Sequence, residues 1–278
     1  MKIIFIADFF VEQILGGGEL NNDELLKMLA QDGHEVLKIN SHQVTPEFID
    51  RNIDAKFIIA NFVNLKPDLI SKLYNTKYII YEHDHKYLRS RDPGIYPDFK
   101  APDEAIINLE FYSNAQAVMC QSQFHLEIVK MNTNLNNLVN LSGNLWSESS
   151  LEFMKSLAKK PKSERYSIMQ SNISHKNTRE AVMYCEHKKI PYSLVSSQNY
   201  ETFLDQLSKN NTLIFLPKTP ETLSRVVVEA RMMGMSVVVN KMIGATREPW
   251  YQLKGLELIE HMYSKRATIK NMVLKALA

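Results

Sequence analysis

Residues 212–240 read TLIFLPKTPETLSRVVVEARMMGMSVVVN, and this stretch contains the pattern that decides the fold class. Its two ends, TLIFLPK and SVVVN, are short segments rich in Ile, Leu, Val and Phe, which is typical of buried strands. Between them lies ETLSRVVVEARMMG, residues 221–234, which has the length and composition of a helix. A strand, a helix and a second strand in this order predict two parallel strands joined by a right-handed crossover.

The same alternation of strands and helices runs along the whole chain. The segments between the apolar runs carry apolar residues at three- and four-residue spacing, as amphipathic helices do. The sequence therefore predicts an α/β fold built on parallel sheets. The other predicted strands are KIIFIADFF, EVLKIN, KFIIANF, YIIYEH, AVMCQS and LVNLSGN in the first half, and YSIMQS and YSLVSS in the second.

Charge divides the chain into two halves. Residues 1–145 contain 13 Lys+Arg against 19 Asp+Glu, whereas residues 146–278 contain 20 against 12. A polar, lysine-rich segment, residues 142–166, marks the break. We therefore predict two Rossmann-like domains, 1–145 and 146–278, whose sheets face each other across a cleft. The basic second domain suits a small phosphorylated ligand, and its C-terminal tail, 255–278, is a candidate to fold back on the first domain.

Composition excludes several classes of protein. The 45% hydrophobic and 23% charged content is that of a globular protein. The sequence contains no run of about 18 apolar residues, so we expect no membrane-spanning helix. Cys120 and Cys185 cannot form a disulfide framework, which favours a cytoplasmic location. No basic run interleaved with aromatic residues appears, so we expect no nucleic-acid partner. Peripheral membrane contact through a basic face stays open.

A glycine-rich loop follows the first predicted strand. Ligands of parallel sheets bind beyond the carboxyl ends of the strands, and ILGGGEL, residues 14–20, lies at such an end. Gly17 and Gly18 allow the backbone to approach a ligand closely, and the following helix N-terminus favours negative charge. The spacing is not the GxGxxG of dinucleotide-binding proteins, and a flexible turn is the alternative.

Four ionisable residues, Glu82–His85, cluster at the end of another predicted strand. Strand alternation would place His83 and His85 on one face, and Glu82 with Asp84 on the other. The favoured interpretation is an imidazole that points into the cleft as a hydrogen-bonding or acid–base group. A metal site and a pair of surface histidines are the alternatives.

A lysine follows the first predicted strand of the second domain. Lys176 comes just before the predicted helix N-cap, Asn177 or Thr178. Beside exposed backbone amides, such a lysine is a candidate clamp for a diphosphate. A solvated surface lysine is the alternative.

Two glutamates with seven residues between them, Glu221 and Glu229, distinguish the opening stretch. If both are helical they lie about 12 Å apart along the axis, so they can hold opposite ends of an elongated ligand but cannot act on one atom. The alternative is structural. Thr219, Pro220 and Glu221 would then be N-cap, N1 and N2 of the helix, and Glu229 would pair with Arg225 one turn earlier.

Together these segments resemble the retaining glycosyltransferases of the GT-B fold, family 4. The resemblance covers both halves of the chain in the right order. It rests on GGGEL before the first helix, on DGHEV, on the SGN turn that closes the first domain, and on the two glutamates before ARMMGMSVVVN. The matching positions are Gly33, His34, Val36, Glu221, Glu229, Ala230, Gly234, Val237 and Val238.

The resemblance implies a substrate and a role for each candidate residue. A nucleoside-diphosphate sugar would bind the second domain, and its sugar would pass with retention to the hydroxyl of an acceptor whose identity stays open (a glycan, a lipid or a small molecule). The departing diphosphate would assist the incoming hydroxyl, so neither a metal nor a cofactor is expected. The implied contacts are Glu229 with the ribose, Glu221 and His83 with the transferred sugar, Lys176 with the diphosphate, the amides of Thr222, Leu223 and Ser224 with sugar and phosphate, and Gly17 and Gly18 with phosphates and acceptor.

The sequence departs from the family pattern at two places. The family's arginine before the lysine is replaced here by Gln170 or Ser171, and the family's Phe-Gly after the first glutamate is replaced by Leu223-Ser224. These changes keep a second hypothesis open, a degenerate relative that binds a nucleotide or a glycan without turnover. A metal-dependent hydrolase built on Glu82–His85 is the third.

Overall fold

The computed structural model describes residues 1–278, and the chain divides into two compact units. The first unit contains residues 1–145 and 266–278, and the second contains residues 146–265. The sequence analysis assigns 266–278 to the second domain, whereas the structure groups these residues with the first unit. The reason is burial, because Ile269, Val273 and Leu277 are completely buried in the core of the first unit.

The first unit is built on a six-stranded parallel sheet. Its strands are Lys2–Ala7 (β1), Glu35–Asn40 (β2), Lys56–Ile59 (β3), Lys77–Tyr81 (β4), Val118–Cys120 (β5) and Leu138–Asn140 (β6). Their spatial order is β2-β1-β3-β4-β5-β6. Alternate residues of β1 enter different cores, since Ile4 and Ile6 belong to one hydrophobic cluster while Ile3 and Phe5 belong to another. This strand is therefore buried on both faces, as is usual in parallel sheets covered by helices.

Five helices lie wholly within residues 1–145 of the first unit. Short polar side chains begin two of them, since Thr45 accepts a hydrogen bond from the Phe48 N–H and Ser122 accepts one from the His125 N–H. The helices are Gly17–Gln31 (α1), Pro46–Arg51 (α2), Pro67–Leu73 (α3), Leu109–Asn114 (α4) and Gln123–Thr133 (α5).

The second unit is built on a four-stranded parallel sheet. Its order is β10-β9-β7-β8, with Ser163–Met169 (β7), Tyr192–Val195 (β8), Asn210–Phe215 (β9) and Ser236–Val239 (β10). The predicted α/β fold with parallel sheets is thus confirmed, and all ten predicted strands are present. The remaining helices are Glu148–Ala158 (α6), Thr178–Lys188 (α7), Tyr200–Ser208 (α8), Arg225–Met232 (α9) and Leu256–Leu277 (α10).

Two further properties concern the chain as a whole. None of the ten helices combines the length and the apolar composition that crossing a bilayer requires. Cys120 and Cys185 are both buried and carry free thiols.

Candidate functional site

Two of the candidate residues meet at the carboxyl edge of the second sheet. Lys176 lies in a 3-10 turn, residues 174–176, that follows β7, and its Nζ is 2.7 Å from Glu221 Oε1. Both side chains are largely buried, with 25% and 15% of their surface exposed. The loop after β7 is tied to the loop after β9, because the Asn177 side-chain amide donates to the Leu216 carbonyl at 2.9 Å. The structure therefore brings Lys176 and Glu221 into one ion pair.

The segment before α9 is extended and not helical. The Glu221 N–H donates to the Met242 carbonyl at 2.8 Å, and the Glu221 carbonyl accepts from the Gly244 N–H at 3.0 Å. This pairing with the loop after β10 holds Glu221 outside the helix, which begins at Arg225. The structural alternative that made Pro220 and Glu221 the first helical residues is therefore wrong.

The N-terminus of α9 carries an unsatisfied hydroxyl. Ser224 precedes the helix in a left-handed conformation (φ 76°), and its side chain is 5% exposed. The Ser224 Oγ makes no hydrogen bond. The first amides of a helix also lack intrahelical acceptors, so Ser224 and its neighbours Thr222 and Leu223 stand where an anion would be stabilised.

Glu229 is buried and bonded through one of its two oxygens. Its Oε1 accepts hydrogen bonds from Trp146 Nε1 at 2.9 Å and from the Tyr200 hydroxyl at 2.6 Å. The same oxygen lies 3.3 Å from Arg225 Nε, so the ion pair of the structural alternative is present. The Arg225 guanidinium also lies 4.4 Å from the centre of the Trp146 ring. Burial and the charge of Glu229 raise the pKa of Tyr200. None of these contacts involves Oε2.

In the first unit, the glycine-rich loop and the candidate histidine are neighbours. The helix α1 begins at Gly17, with Gly16 as its extended N-cap. A Cβ atom at Gly18 would lie 3.6 Å from the imidazole of His83. Glycine at position 18 thus lets the first turn of α1 lie against this ring.

Both ring nitrogens of His83 are engaged by amide side chains of the first unit. Nε2 lies 2.6 Å from Asn22 Oδ1, and Nδ1 accepts a hydrogen bond from Gln121 Nε2. These two contacts hold the ring in place.

Glu82 and Asp84 form a buried charge network with Lys86. Lys86 Nζ is 2.5 Å from a carboxylate oxygen of each, and the Tyr112 hydroxyl donates to Glu82. Burial raises the pKa of Glu82 to about 7, and the charge of Asp84 acts in the same direction. Both carboxyl groups are thus engaged by Lys86, and Asp84 lies 3.4 Å from Arg91 as well. No group of three or more His, Cys, Asp or Glu side chains is arranged to hold a metal ion.

The alternation predicted for Glu82–His85 assumes a strand that ends before these residues, although Glu82 and Asp84 do share a partner, Lys86 Nζ. The strand β4 ends at Tyr81, and the two-residue period stops with it. His85 is buried, with its Nδ1 3.0 Å from the Tyr87 hydroxyl and its ring edge-on to His125. Burial lowers the pKa of His85 to about 4. Its role is therefore structural.

The positions where the family carries an arginine hold no cation. Gln170 is exposed, and the Ser171 hydroxyl accepts from the Ile173 N–H at 3.2 Å, which closes a turn. The backbone of another lysine lies next to this loop. The N–H of Lys218 donates to the carbonyl of His175, the residue before Lys176, at 2.9 Å, and the Lys218 side chain is exposed.

Solved structures similar to this chain are glycosyltransferases of the GT-B fold. The E. coli protein described as trehalose-6-phosphate, bound with UDP-2-fluoro glucose, has a TM-score of 0.55 and 8% identity over 99% of this chain and 96% of that one. The UDP-forming α,α-trehalose-phosphate synthase from Burkholderia xenovorans, in complex with glucose-6-phosphate, has a TM-score of 0.55 and 8% identity over 100% and 94%.

The lipopolysaccharide outer core galactosyltransferase WaaB, in its apo form, has a TM-score of 0.52 and 8% identity over 100% of this chain and 94% of that chain. No protein-family model matches the chain, and no curated protein matches it. At such identities the similarity shows the fold, and the activity has to be argued from the site.

Proposed function

We propose that the protein is a glycosyltransferase that moves a sugar from a nucleoside-diphosphate sugar to an acceptor hydroxyl, with retention and without a metal. The observation that carries this proposal is the ion pair of Lys176 and Glu221 at the carboxyl edge of the second sheet. A cation, a carboxylate and a helix N-terminus with the unbonded Ser224 hydroxyl meet there. This set of groups suits a diphosphate joined to a polyhydroxyl ring.

The diphosphate would be held by cations and backbone amides. Lys176 and the N-terminal amides of α9 supply positive charge, and the Ser224 Oγ supplies a donor that has no other partner. Lys218 would replace the cation that Gln170 and Ser171 do not provide, because its backbone lies against the residue before Lys176. On this proposal, the donor diphosphate draws Lys176 away from Glu221, whose carboxylate then accepts hydrogen bonds from the sugar hydroxyls.

The ribose would be held by Glu229. Trp146, Tyr200 and Arg225 fix the carboxylate through Oε1, which leaves Oε2 as the acceptor for a ribose hydroxyl. Three protein groups stabilise the charge before any ligand binds, and the ribose adds to them.

The chemical step would use the donor's own phosphate as the base. The bond between the anomeric carbon and the phosphate oxygen breaks, and the acceptor oxygen bonds to that carbon on the same face. The acceptor proton passes to the departing phosphate oxygen. His83 would contact the sugar through its fixed ring, since both of its nitrogens are engaged, while Gly17 and Gly18 leave room for phosphates and acceptor.

A degenerate relative that binds a nucleotide or a glycan without turnover is the second candidate. The specific observation that favours it is the absence of a cation at Gln170 and Ser171. The two candidates share the donor site and differ in turnover. For either, we propose a reducing compartment such as the cytoplasm, which the two free, buried thiols support.

The test is a thermal-shift panel of UDP-, GDP-, ADP- and CDP-sugars, with and without EDTA. A ligand that binds the folded state raises the melting temperature. We expect a shift with one nucleotide class that EDTA does not remove and that Glu229→Ala abolishes. Glu180→Ala, an exposed glutamate in α7, is the matched control and should keep the shift.

Turnover is then read in the same samples. Slow release of free sugar from the donor would support the enzyme, and the anomeric configuration of a transferred product, measured by NMR, would test retention. Donor binding without any release or transfer would select the binding relative. A protein that no sugar nucleotide stabilises, even at millimolar concentration, would refute both.

A further inference from the structure

The amino edge of the second sheet is crowded with lysines. Each of its four strands is preceded by, or begins beside, at least one of them, and the amino ends of parallel strands lie at the same edge. At β10, for example, Lys254 Nζ lies 3.4 Å from the hydroxyl of Ser236, the first residue of the strand. We call this set the basic edge: Lys159, Lys160, Lys162, Lys188, Lys189, Lys209 and Lys254.

Contacts between neighbouring connections make the basic edge continuous. The carbonyl of Lys209 accepts a hydrogen bond from the Ser163 N–H at 2.8 Å, which joins the starts of β9 and β7. Burial lowers the pKa of Lys162, and the nearby charges of Lys160 and Lys254 act in the same direction. Lysines from different connections thus repel one another across the edge.

Few acids neutralise this edge. With Arg165 it contains eight basic side chains, and the acidic ones among them are Glu164, Glu186 and Asp205, so its net charge is +5. Asp205 serves two lysines at once, with Lys160 Nζ at 3.0 Å and Lys209 Nζ at 3.7 Å. An external anionic surface would relieve the remaining repulsion.

The extent of the basic edge indicates what would cover it. Four strands spaced by about 4.8 Å make a row roughly 15 Å wide, which is wider than a single phosphate. The connections 159–165 and 186–191 contain no Phe, Tyr or Trp on which bases could stack. Near Lys254, Trp250 is buried and the ring of Tyr251 lies 4.5 Å from the Arg231 guanidinium. A plane of lipid headgroups matches a wide row of lysines. All of them are exposed except Lys162, whose Nζ donates to the carbonyls of Leu157 and Ser208.

We propose that the basic edge docks the protein on membrane surfaces that contain anionic phospholipids. The donor site lies at the opposite, carboxyl edge of the same sheet, so docking would leave it accessible. The proposal does not depend on the proposed transfer reaction, because it concerns other residues and is measured without a donor.

The test is co-sedimentation of the whole protein with vesicles. Phosphatidylglycerol mixed with an equal amount of phosphatidylcholine is compared with phosphatidylcholine alone, at low and at high salt. We expect binding to the anionic vesicles that salt weakens. The variant Lys159→Gln, Lys188→Gln, Lys209→Gln and Lys254→Gln removes one charge beside the start of each strand. At about fivefold per lysine, the four changes together should weaken vesicle binding by roughly six hundredfold.

The matched control removes four exposed lysines elsewhere: Lys66→Gln, Lys77→Gln, Lys130→Gln and Lys275→Gln. It has the same net charge as the edge variant and should keep most of the vesicle binding. Equal loss in both variants would overturn the proposal, since the net charge alone would then explain the binding. Binding to neutral vesicles, or to RNA or DNA in place of vesicles, would overturn it as well.

Discussion

At the scale of single residues, the partners of a functional side chain come from distant parts of the sequence. Glu229 is bonded by Trp146, 83 residues earlier, and by Tyr200, 29 residues earlier. The two glutamates were visible in the sequence because their spacing is local, and Lys176 was visible because it follows a predicted strand. The residues that hold Glu229 were not, because nothing in the pattern around residue 146 or 200 refers to residue 229. Only the ion pair with Arg225, one helical turn away, could be predicted.

Lys218, which we propose in place of the missing arginine, gives a prediction at the scale of single residues. Lys218→Ala should raise the KM for the donor about fivefold, because an exposed cation next to the diphosphate contributes roughly 1 kcal/mol. The effect should appear in the donor KM more than in kcat. Steady-state kinetics with varied donor measure it. The control is Lys188→Ala, in the same unit but at the opposite edge of its sheet, which should leave the KM unchanged. If Lys218→Ala has the same donor KM as the unchanged protein, Lys218 does not belong to the site.

At the scale of elements, the strands were predictable and one helix start was not. Buried parallel strands are short apolar runs, and that signal is local. The start of α9 depends on the loop after β10, which pairs with Glu221 through Met242 and Gly244. Proline is common at the first position of a helix, which made Pro220 a reasonable helix start. The tertiary pairing nevertheless keeps the segment non-helical until Arg225. The alternation expected for Glu82–His85 lacked its strand, since β4 had already ended at Tyr81.

The contact between α1 and the imidazole gives a prediction for that element. A Cβ at Gly18 would lie at ordinary contact distance, 3.6 Å from the His83 ring. Gly18→Ala should therefore be tolerated, whereas the branched side chain of Gly18→Val should push His83 away from Asn22 and Gln121. We expect kcat for Gly18→Val to fall about tenfold or more relative to Gly18→Ala, the loss that one or two hydrogen bonds would cause.

Kinetics of the two variants, after their secondary structure has been compared by circular dichroism, decide the matter. The alanine variant is the control for the loss of glycine itself. If valine and alanine behave alike, the position of the ring does not matter for turnover.

At the scale of the whole molecule, the division into two units follows the change in charge along the chain, except at the C-terminus. The periodicity of α10 is continuous, so the sequence does not reveal where its contacts change. Leu258, Ile259 and Met262 are buried in the second unit, whereas Ile269 and Val273 are buried in the first. Which core receives which turn depends on surfaces that exist only after folding.

Stability against acid is a prediction for the molecule as a whole. His85 stays neutral in the folded state down to about pH 4 because it is buried, whereas in the unfolded chain it binds a proton near pH 6.5. The neutral His85 therefore lowers the stability of the protein only below about pH 6.5. As the pH falls from there towards 4, the free energy of unfolding decreases by up to about 1.4 kcal/mol per pH unit. Burial also lowers the pKa of the neighbouring His125, which adds to the loss.

His85→Phe should make this dependence shallower, although it leaves the Tyr87 hydroxyl without its partner and costs about 1–3 kcal/mol at neutral pH. Urea unfolding followed by circular dichroism at several pH values between 4 and 7 measures the slope. The exposed His187, changed to Asn, should leave the slope as it is. A slope for His85→Phe equal to that of the unchanged protein would contradict the prediction.

The indole of Trp146 gives the molecule its own fluorescent reporter. The chain contains two tryptophans, Trp146 and Trp250, and both belong to the second unit. Trp146 donates to the very carboxylate that would receive the ribose, and its ring lies over a guanidinium. Any ligand that engages Glu229 alters the surroundings of this chromophore. Emission intensity and wavelength would therefore report occupancy of the second unit directly, with no label attached and in real time.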